Sequence, residues 1–187
     1  GDVVISPAPC FVEYKTYTEN HGGLFKTVPS RDDFTLDLEA LEGAIDADTK
    51  FVLINSPHNP TGQVYDEASL RRLGELLEAK SRELGRVVYL VSDEPYRKIV
   101  FDGVTVPSIF RFYRDSLITT SYSKDISIPG ERIGFTALHP QATHRDLLLP
   151  GLTLALRTLG FVNAPAMMQL AVAELQGESV DIGAYQR

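Results

Sequence analysis

Residues 51–54 (FVLI) and residues 87–91 (VVYLV) are two short apolar runs, and an amphipathic stretch from Asp66 to Leu84 lies between them. Leucines recur in this stretch near helical spacing and would form one buried face: Leu70, Leu73, Leu76, Leu77 and Leu84. Asp66 suits the N-cap of such a helix, and Gly85 suits its end. The order strand, helix, strand predicts two parallel strands joined by a helix that packs on the sheet.

The same alternation extends along the whole chain. Strands are predicted at Val3–Ser6, Leu24–Val28, Phe51–Asn55, Val87–Ser92, Leu117–Ser121 and Ile133–Ala137. Helices are predicted at Asp37–Ile45, Asp66–Leu84, Gln141–Leu149 and Ala164–Gln176. Strands that are apolar on both faces and separated by helices predict an α/β fold, a three-layer sandwich in which helices cover both faces of a mostly parallel sheet. We find no repeat, linker or low-complexity tract, so we expect a single domain.

Composition and charge exclude several classes of function. The chain has 187 residues and a formal net charge of −7, which argues against binding to nucleic acid or to an anionic membrane. No apolar run approaches the roughly 20 residues that cross a bilayer, and no secretory signal is apparent. The single cysteine, Cys10, fits a reducing compartment, so we expect a cytoplasmic location. The four histidines are scattered, without the spacing of a zinc site, so we expect no metal centre.

Ligands of parallel α/β sheets bind outside the carboxyl ends of the strands, and the first unusual strand end is residues 55–62, NSPHNPTG. Its two prolines keep the preceding residues Ser56 and Asn59 out of helical geometry, and Gly62 permits a turn that other residues resist. Such a rigid loop can direct the Asn59 amide at a ligand. An equally simple interpretation is a stiff connection between a strand and a helix.

The second unusual strand end is residues 92–96, SDEPY. Two acids after an apolar strand are typical of the metal-holding acids of nucleotide hydrolases, but the chain lacks the glycine-rich phosphate loop that such enzymes need. Taken alone, Asp93 is more simply a turn cap and Tyr96 a packed ring.

The third strand end is residues 121–124, SYSK, followed by residues 129–132, PGER. Hydroxyl and guanidinium groups bind phosphate well, so Ser121 and Arg132 indicate an anion site. A lysine in a covered cleft, such as Lys124, can attack a carbonyl as a nucleophile. The alternative is a solvated loop with ordinary surface charge.

Taken together, the three stretches resemble the signature of class I/II aminotransferases, which are pyridoxal-phosphate enzymes of fold type I. The match comprises Asn59-Pro60-x-Gly62, Asp93-x-x-Tyr96 and Ser121-x-x-Lys124, with Arg132 eight residues later. The resemblance covers nearly the whole chain and corresponds to the central part of the family's large domain. It also implies cis peptide bonds at Asn59-Pro60 and Ala8-Pro9.

The resemblance implies a role for each matching residue. Lys124 would form a Schiff base with the cofactor aldehyde and move the proton between the substrate α-carbon and cofactor C4′. Asp93 would pair with the pyridinium nitrogen, and Asn59 and Tyr96 would hydrogen-bond the 3′-oxygen. Ser121 and Arg132 would hold the phosphate. Phe11, three residues before Tyr14, falls where the family stacks an aromatic ring on the cofactor, although an aromatic beside a strand is more often part of a core.

The resemblance also implies a larger parent protein. Family members have roughly twice this length, so residues 1–187 would be one cofactor-binding domain without an N-terminal segment and a C-terminal small domain. The parent would be a homodimeric aminotransferase acting on an amino acid and a 2-oxo acid, and this fragment would be inactive alone. Two alternatives stay open: a lyase, decarboxylase or synthase using the same cofactor, or a non-catalytic, aminotransferase-like regulatory domain.

Overall fold

A computed structural model describes residues 1–176, which form a six-stranded sheet. The strands are β1 (Val3–Ala8), β2 (Leu24–Pro29), β3 (Thr49–Asn55), β4 (Tyr89–Asp93), β5 (Ser116–Ser121) and β6 (Gly134–Leu138). Their order across the sheet is β2-β1-β3-β4-β5-β6, with β1 to β5 parallel and β6 antiparallel to β5. All six predicted strands are confirmed, as is the mostly parallel sheet; β4 begins at Tyr89, two residues later than predicted.

Six α-helices lie in the same part of the chain. They are α1 (Glu13–Asn20), α2 (Leu38–Ala44), α3 (Glu67–Leu84), α4 (Tyr122–Asp125), α5 (Arg145–Thr158) and α6 (Ala166–Glu174), and two short 3-10 helices span Ile109–Arg111 and Pro129–Glu131. The predicted helices that correspond to α2, α3 and α6 are confirmed within two residues at each end. Among residues 1–176, no helix has both the length and the apolar character needed to span a membrane.

The sequence prediction differs from the structure at α1 and α5. Helix α1 was not predicted, because its sequence EYKTYTEN buries Tyr14 alone and carries no apolar stripe. The predicted helix Gln141–Leu149 is wrong at both ends, since α5 begins at Arg145 and continues through Pro150 to Thr158. A proline removes one backbone donor from a helix. Pro150 lacks this donor, and α5 nevertheless continues past it to Thr158.

The sheet carries helices on both faces, as the sequence predicts. Alternate strand residues point to opposite sides, so Val3 and Ile5 join the core beneath α2 and α3, while Val4 packs with Tyr14 of α1. The larger core also includes Leu70, Leu73 and Leu77, which are at most 2% exposed. The leucine spacing therefore identified the buried face of α3 correctly.

Both predicted ends of α3 are confirmed. The Asp66 side chain accepts a hydrogen bond from the backbone N–H of Ser69 at 2.7 Å. Gly85 ends the helix in the left-handed conformation, with φ of 64°. These ends determine the length of α3 between β3 and β4. They therefore also determine where the loop after β3 must end.

Two glycines in helices provide a matched stability test. A Cβ on Gly74 of α3 would overlap the backbone carbonyl of Phe112, whereas a Cβ on Gly43 of α2 would meet open space. We expect Gly74→Ala to lower the free energy of unfolding by about 1–3 kcal/mol through overpacking. Gly43→Ala should raise it by less than about 1 kcal/mol through helix propensity. Urea unfolding of both variants measures the difference, and equal effects of the two substitutions would contradict the close packing of α3.

Candidate active site

The structure brings all seven predicted site residues together around one cavity. This cavity has a volume of about 330 Å³ and lies where β3, β4 and β5 end. The predicted residues in its lining are Phe11, Asn59, Asp93, Tyr96, Ser121, Lys124 and Arg132. Five further residues complete the lining: Tyr14, Asn55, Pro95, Ser123 and Pro129. The three sequence stretches therefore converge in space because parallel strands end at the same edge of the sheet.

Asp93, the last residue of β4, is a mostly buried carboxylate in this cavity. Its Oδ2 accepts a hydrogen bond from the Tyr14 hydroxyl at 2.6 Å, and its Oδ1 accepts one from Thr119 Oγ1 at 3.2 Å. Burial raises the pKa of Asp93, and the two hydroxyl donors offset part of that rise. Burial, followed by the charge of Asp93, raises the pKa of Tyr14, so Tyr14 stays protonated and donates. The carboxylate is thus held in a fixed orientation without a cationic partner among residues 1–176.

Asn55 at the end of β3 connects Asp93 to the loop that carries Asn59. The Asn55 side-chain amide donates to the Asp93 carbonyl at 2.7 Å, and its Oδ1 accepts from the Asn59 backbone N–H at 2.6 Å. Gly62 ends the loop with φ of 75°, as its predicted turn requires. The predicted cis peptide bonds at Asn59-Pro60 and Ala8-Pro9 are confirmed, and Ser56-Pro57 is also cis.

Tyr96 lies on a loop held in place by an ion pair between the buried Glu94 and the partly exposed Arg97. Glu94 is 2% exposed, and its carboxylate accepts hydrogen bonds from Arg97 at 2.7 Å and from Ser92 Oγ at 2.9 Å. Arg97 also donates to the carbonyl of Val106 at 2.8 Å, which closes the loop between residues 94 and 107. Burial raises the pKa of Glu94, and the Arg97 charge opposes that rise.

Lys124 projects from α4, immediately after β5. Its side chain is exposed, and its Nζ lies 5.9 Å from the centre of the Tyr96 ring. Ser121 stands at the N-cap position of α4 without making a side-chain cap hydrogen bond, so its hydroxyl is available to a ligand.

Arg132 returns to the same edge of the sheet just before β6. It adopts a left-handed backbone, with φ of 50°, and its guanidinium donates to the Pro129 carbonyl at 2.8 Å. Gly134 pairs with Ser121 across β5 and β6, and a Cβ on Gly134 would overlap the carbonyl of Thr120. A glycine is therefore required for β6 to approach β5 closely enough to place Arg132 near Ser121.

Three residues with a clear place in the site were missed by sequence reasoning. Tyr14, Asn55 and Thr119 all bond to Asp93, two to its carboxylate and one to its carbonyl. The spacing of Tyr14 from Phe11 and the position of Asn55 at a strand end were usable signals. Thr119 has none, because its place opposite Asp93 depends on the register between β4 and β5.

The raised pKa of Asp93 predicts how stability depends on pH in the cofactor-free chain. The Asp93 carboxyl binds its proton more tightly in the folded chain than in the unfolded chain. The protonated carboxyl therefore stabilises the fold, and this contribution is fully present below the pKa of Asp93 in the unfolded chain. It is lost as pH rises through the folded pKa, with a limiting slope of about 1.4 kcal/mol per pH unit. Asp93→Asn removes this titration. The variant should therefore gain in free energy of unfolding relative to wild type across that interval and then level off.

Denaturant unfolding at a series of pH values, without added cofactor, measures this difference. Glu94, whose pKa is also raised, is present in both proteins, and subtraction therefore cancels most of its contribution. A difference that does not change with pH would contradict the burial of Asp93.

Comparison with known proteins identifies the family. The sequence matches the model of the family "Aminotransferase class I and II" over residues 1–179. It is 33% identical, over 178 residues, to a protein of Methanocaldococcus jannaschii described as a probable aspartate aminotransferase; the match covers 95% of this chain and 45% of that protein.

Solved structures agree with this match. An aminotransferase from Eubacterium rectale has a TM-score of 0.95 and 42% identity, over 99% of this chain and 47% of its own. A PLP-dependent aminotransferase from Streptococcus suis has a TM-score of 0.73 and 32% identity, over 91% of this chain and 42% of its own. The chain spans less than half the length of each of these proteins. On the sequence match and the shared fold together, the chain belongs to the class I and II aminotransferase family.

Proposed function

We propose that the chain is the cofactor-binding domain of a pyridoxal-phosphate-dependent aminotransferase, which transfers an amino group between an amino acid and a 2-oxo acid. The observation that carries the proposal is the convergence of seven family-matched residues around one cavity, with the Asp93 carboxylate buried in its wall. The names of the relatives support it: a probable aspartate aminotransferase, an aminotransferase and a PLP-dependent aminotransferase. Residues 177–187 of the proposed domain lie outside the described part of the chain.

The chemistry of the cavity fits pyridoxal phosphate. Asp93 is a largely buried carboxylate that two hydroxyls orient and that has no cationic partner among residues 1–176. It suits a protonated ring nitrogen, because an opposite charge favours its ionised form. The hydroxyls of Ser121 and Ser123 and the guanidinium of Arg132 offer donors for a phosphate. Lys124 supplies a primary amine in the same lining. The cavity thus offers Asp93 for the protonated ring nitrogen, Arg132 and the two serines for the phosphate, and Lys124 for the aldehyde carbon of the cofactor.

The bound cofactor supplies an electron-withdrawing ring that stabilises negative charge on the substrate α-carbon. Lys124 would hold the cofactor through its side-chain amine and, once released from it, would carry a proton to and from the substrate α-carbon. Asp93 would pair with the protonated ring nitrogen, and Tyr14 and Thr119 hold the Asp93 carboxylate in place for that contact. Asn59 and Tyr96 would hydrogen-bond the 3′-oxygen, Ser121 and Arg132 would bind the phosphate, and Phe11 would pack on the ring face.

Covalent trapping tests the role of Lys124. In the full-length protein with added pyridoxal phosphate, borohydride should fix one cofactor per chain, and absorbance near the visible edge should report the linkage. Lys124→Ala should lose both signals, because no other amine lines the cavity within residues 1–176. Activity should fall by about 100-fold to 10,000-fold, the range expected when the group that transfers the proton is lost.

The exposed Lys15 of α1 provides a matched control, since it lies outside the cavity lining. Lys15→Ala should trap cofactor as the wild type does. Equal trapping by Lys124→Ala and wild type would refute the proposed attachment site.

We also propose that the parent protein is a homodimer. Helix α5 buries none of its residues, and Leu147 and Leu154 are 73% and 65% exposed. Met167 and Leu170 of α6 are 75% and 70% exposed. Exposed apolar side chains concentrated on two consecutive helices indicate a contact surface, and a second copy of the protein is the partner that we propose.

Leu154→Asp tests the proposed dimer. In the full-length protein, a charge at the centre of a subunit contact should weaken association by more than about 100-fold, because the carboxylate would be desolvated without a partner. Sedimentation at micromolar concentration should then show the monomer mass, whereas Lys15→Ala should keep the dimer mass. An unchanged mass together with reduced thermal stability would show instead that α5 packs within its own subunit.

The reaction type is open to a direct measurement. A lyase, decarboxylase or synthase would use the same cavity, and a regulatory domain could retain the cofactor. The names of the relatives favour transamination. The full-length enzyme should therefore convert an amino acid and a 2-oxo acid into the exchanged pair without net release of ammonia or carbon dioxide.

A further inference from the structure

A second charged pair lies beside the cavity and outside its lining. Asp125 follows Lys124 directly in α4, and Lys98 lies two residues after Tyr96. Lys98 Nζ and Asp125 Oδ2 are 3.3 Å apart. The pair therefore connects the helix that carries Lys124 to the loop that carries Tyr96.

The environment of Asp125 differs from that of an ordinary surface ion pair. Its side chain is 11% exposed, whereas the side chain of Lys98 is 61% exposed. Its other oxygen, Oδ1, is buried and finds no hydrogen-bond partner among residues 1–176. Leaving a carboxylate oxygen buried and unpaired costs free energy. Stability alone therefore gives a poor account of this pair, because an ion pair with one exposed cation contributes little free energy.

The short helix α4 needs contacts from outside itself. It has four residues and no side-chain cap hydrogen bond, and a helix of one turn is not stable by itself. At its start, the Tyr122 backbone N–H donates to the Ile133 carbonyl at 3.0 Å. At its other end, two side-chain contacts reach the loop after β4: Lys124 to the Tyr96 ring and Asp125 to Lys98.

Attachment of a cofactor at Lys124 would affect these two contacts differently. Attachment would take Lys124 Nζ away from its present place over the Tyr96 ring, since the amine would be bonded elsewhere. The contact between Asp125 and Lys98 involves no group of the cavity lining, so it can persist in both states. It would therefore still tie α4 to the loop after β4 when the Lys124 amine is bonded to a cofactor.

We propose that Asp125 and Lys98 are positioning residues for Lys124, and that their ion pair sets the reach of the lysine amine into the cavity. This inference rests on the proposed attachment of the cofactor at Lys124. It assigns Asp125 and Lys98 no contact with the cofactor or the substrate. Their effect is on how fast and how completely Lys124 engages the cofactor.

The rate of cofactor attachment tests the proposal. Cofactor-free, full-length protein is mixed with pyridoxal phosphate, and the absorbance change that borohydride can trap is followed in time. We expect Asp125→Asn and Lys98→Met each to slow attachment by about 10-fold to 100-fold, the scale that misplacement of a reacting group by about 1 Å produces. The double variant should be no slower than either single variant, because both remove the same contact. Lys98→Arg should restore most of the rate.

Control variants separate positioning from a general loss of structure. Lys26→Met removes another lysine–aspartate pair, with Asp46 at 2.6 Å, at the far edge of the sheet, and should leave the rate unchanged. The midpoint of thermal unfolding of Asp125→Asn should stay close to that of wild type.

The attachment rates and thermal midpoints together separate a positioning role from a structural one. An unchanged attachment rate in Asp125→Asn, or a slower rate accompanied by a large fall in the thermal midpoint, would overturn the positioning role. Failure of wild type itself to attach cofactor would refute the proposed function instead.

Discussion

The fixed carboxylate of Asp93 is the constraint around which the candidate site is built. A buried charge is costly unless its environment compensates it, and here hydroxyl donors on α1 and β5 provide only part of that compensation. Asn55 on β3 holds the Asp93 backbone at the same time. Helix α1 and strands β3, β4 and β5 must therefore all be in place before the carboxylate has its hydrogen-bond donors. The cavity consequently forms only when the sheet forms. The incomplete compensation leaves a place where a cationic ligand gains more than it would in water.

The sequence predicted the parts of the fold that depend on local pattern. Apolar runs located all six strands, and the leucine spacing located the buried face of α3. Helix α1 was missed because it is polar and is held by tertiary contacts through Tyr14. The predicted helix Gln141–Leu149 stops one residue before Pro150, whereas α5 continues through this proline to Thr158. The local pattern of residues indicates only which secondary structure a segment prefers. The extents of α1 and α5 depend in addition on their surroundings in the folded chain.

The same distinction explains the site. The seven predicted residues lie at strand ends or in the segments next to them, and the parallel strands of a sheet bring such positions together at one edge. Thr119 and the pairing of Lys98 with Asp125 depend on strand register and on loop packing. Neither is visible in the spacing of residues along the chain. Sequence reasoning thus found the groups that the family shares and missed those that hold them in place.

The antiparallel direction of β6 has a consequence for how this site tolerates change in chain length. Because β5 ends and β6 begins at the same edge, one continuous segment from Ser121 to Gly134 contains the proposed phosphate contacts and Lys124. Both ends of that segment are clamped by the pairing of Ser121 with Gly134. An inserted or deleted residue cannot be absorbed by sliding a strand, since slippage by one residue would turn its side chains to the opposite face. The segment therefore fixes the number of residues between Lys124 and Arg132. We expect its length to vary less among related proteins than the lengths of the loops around it.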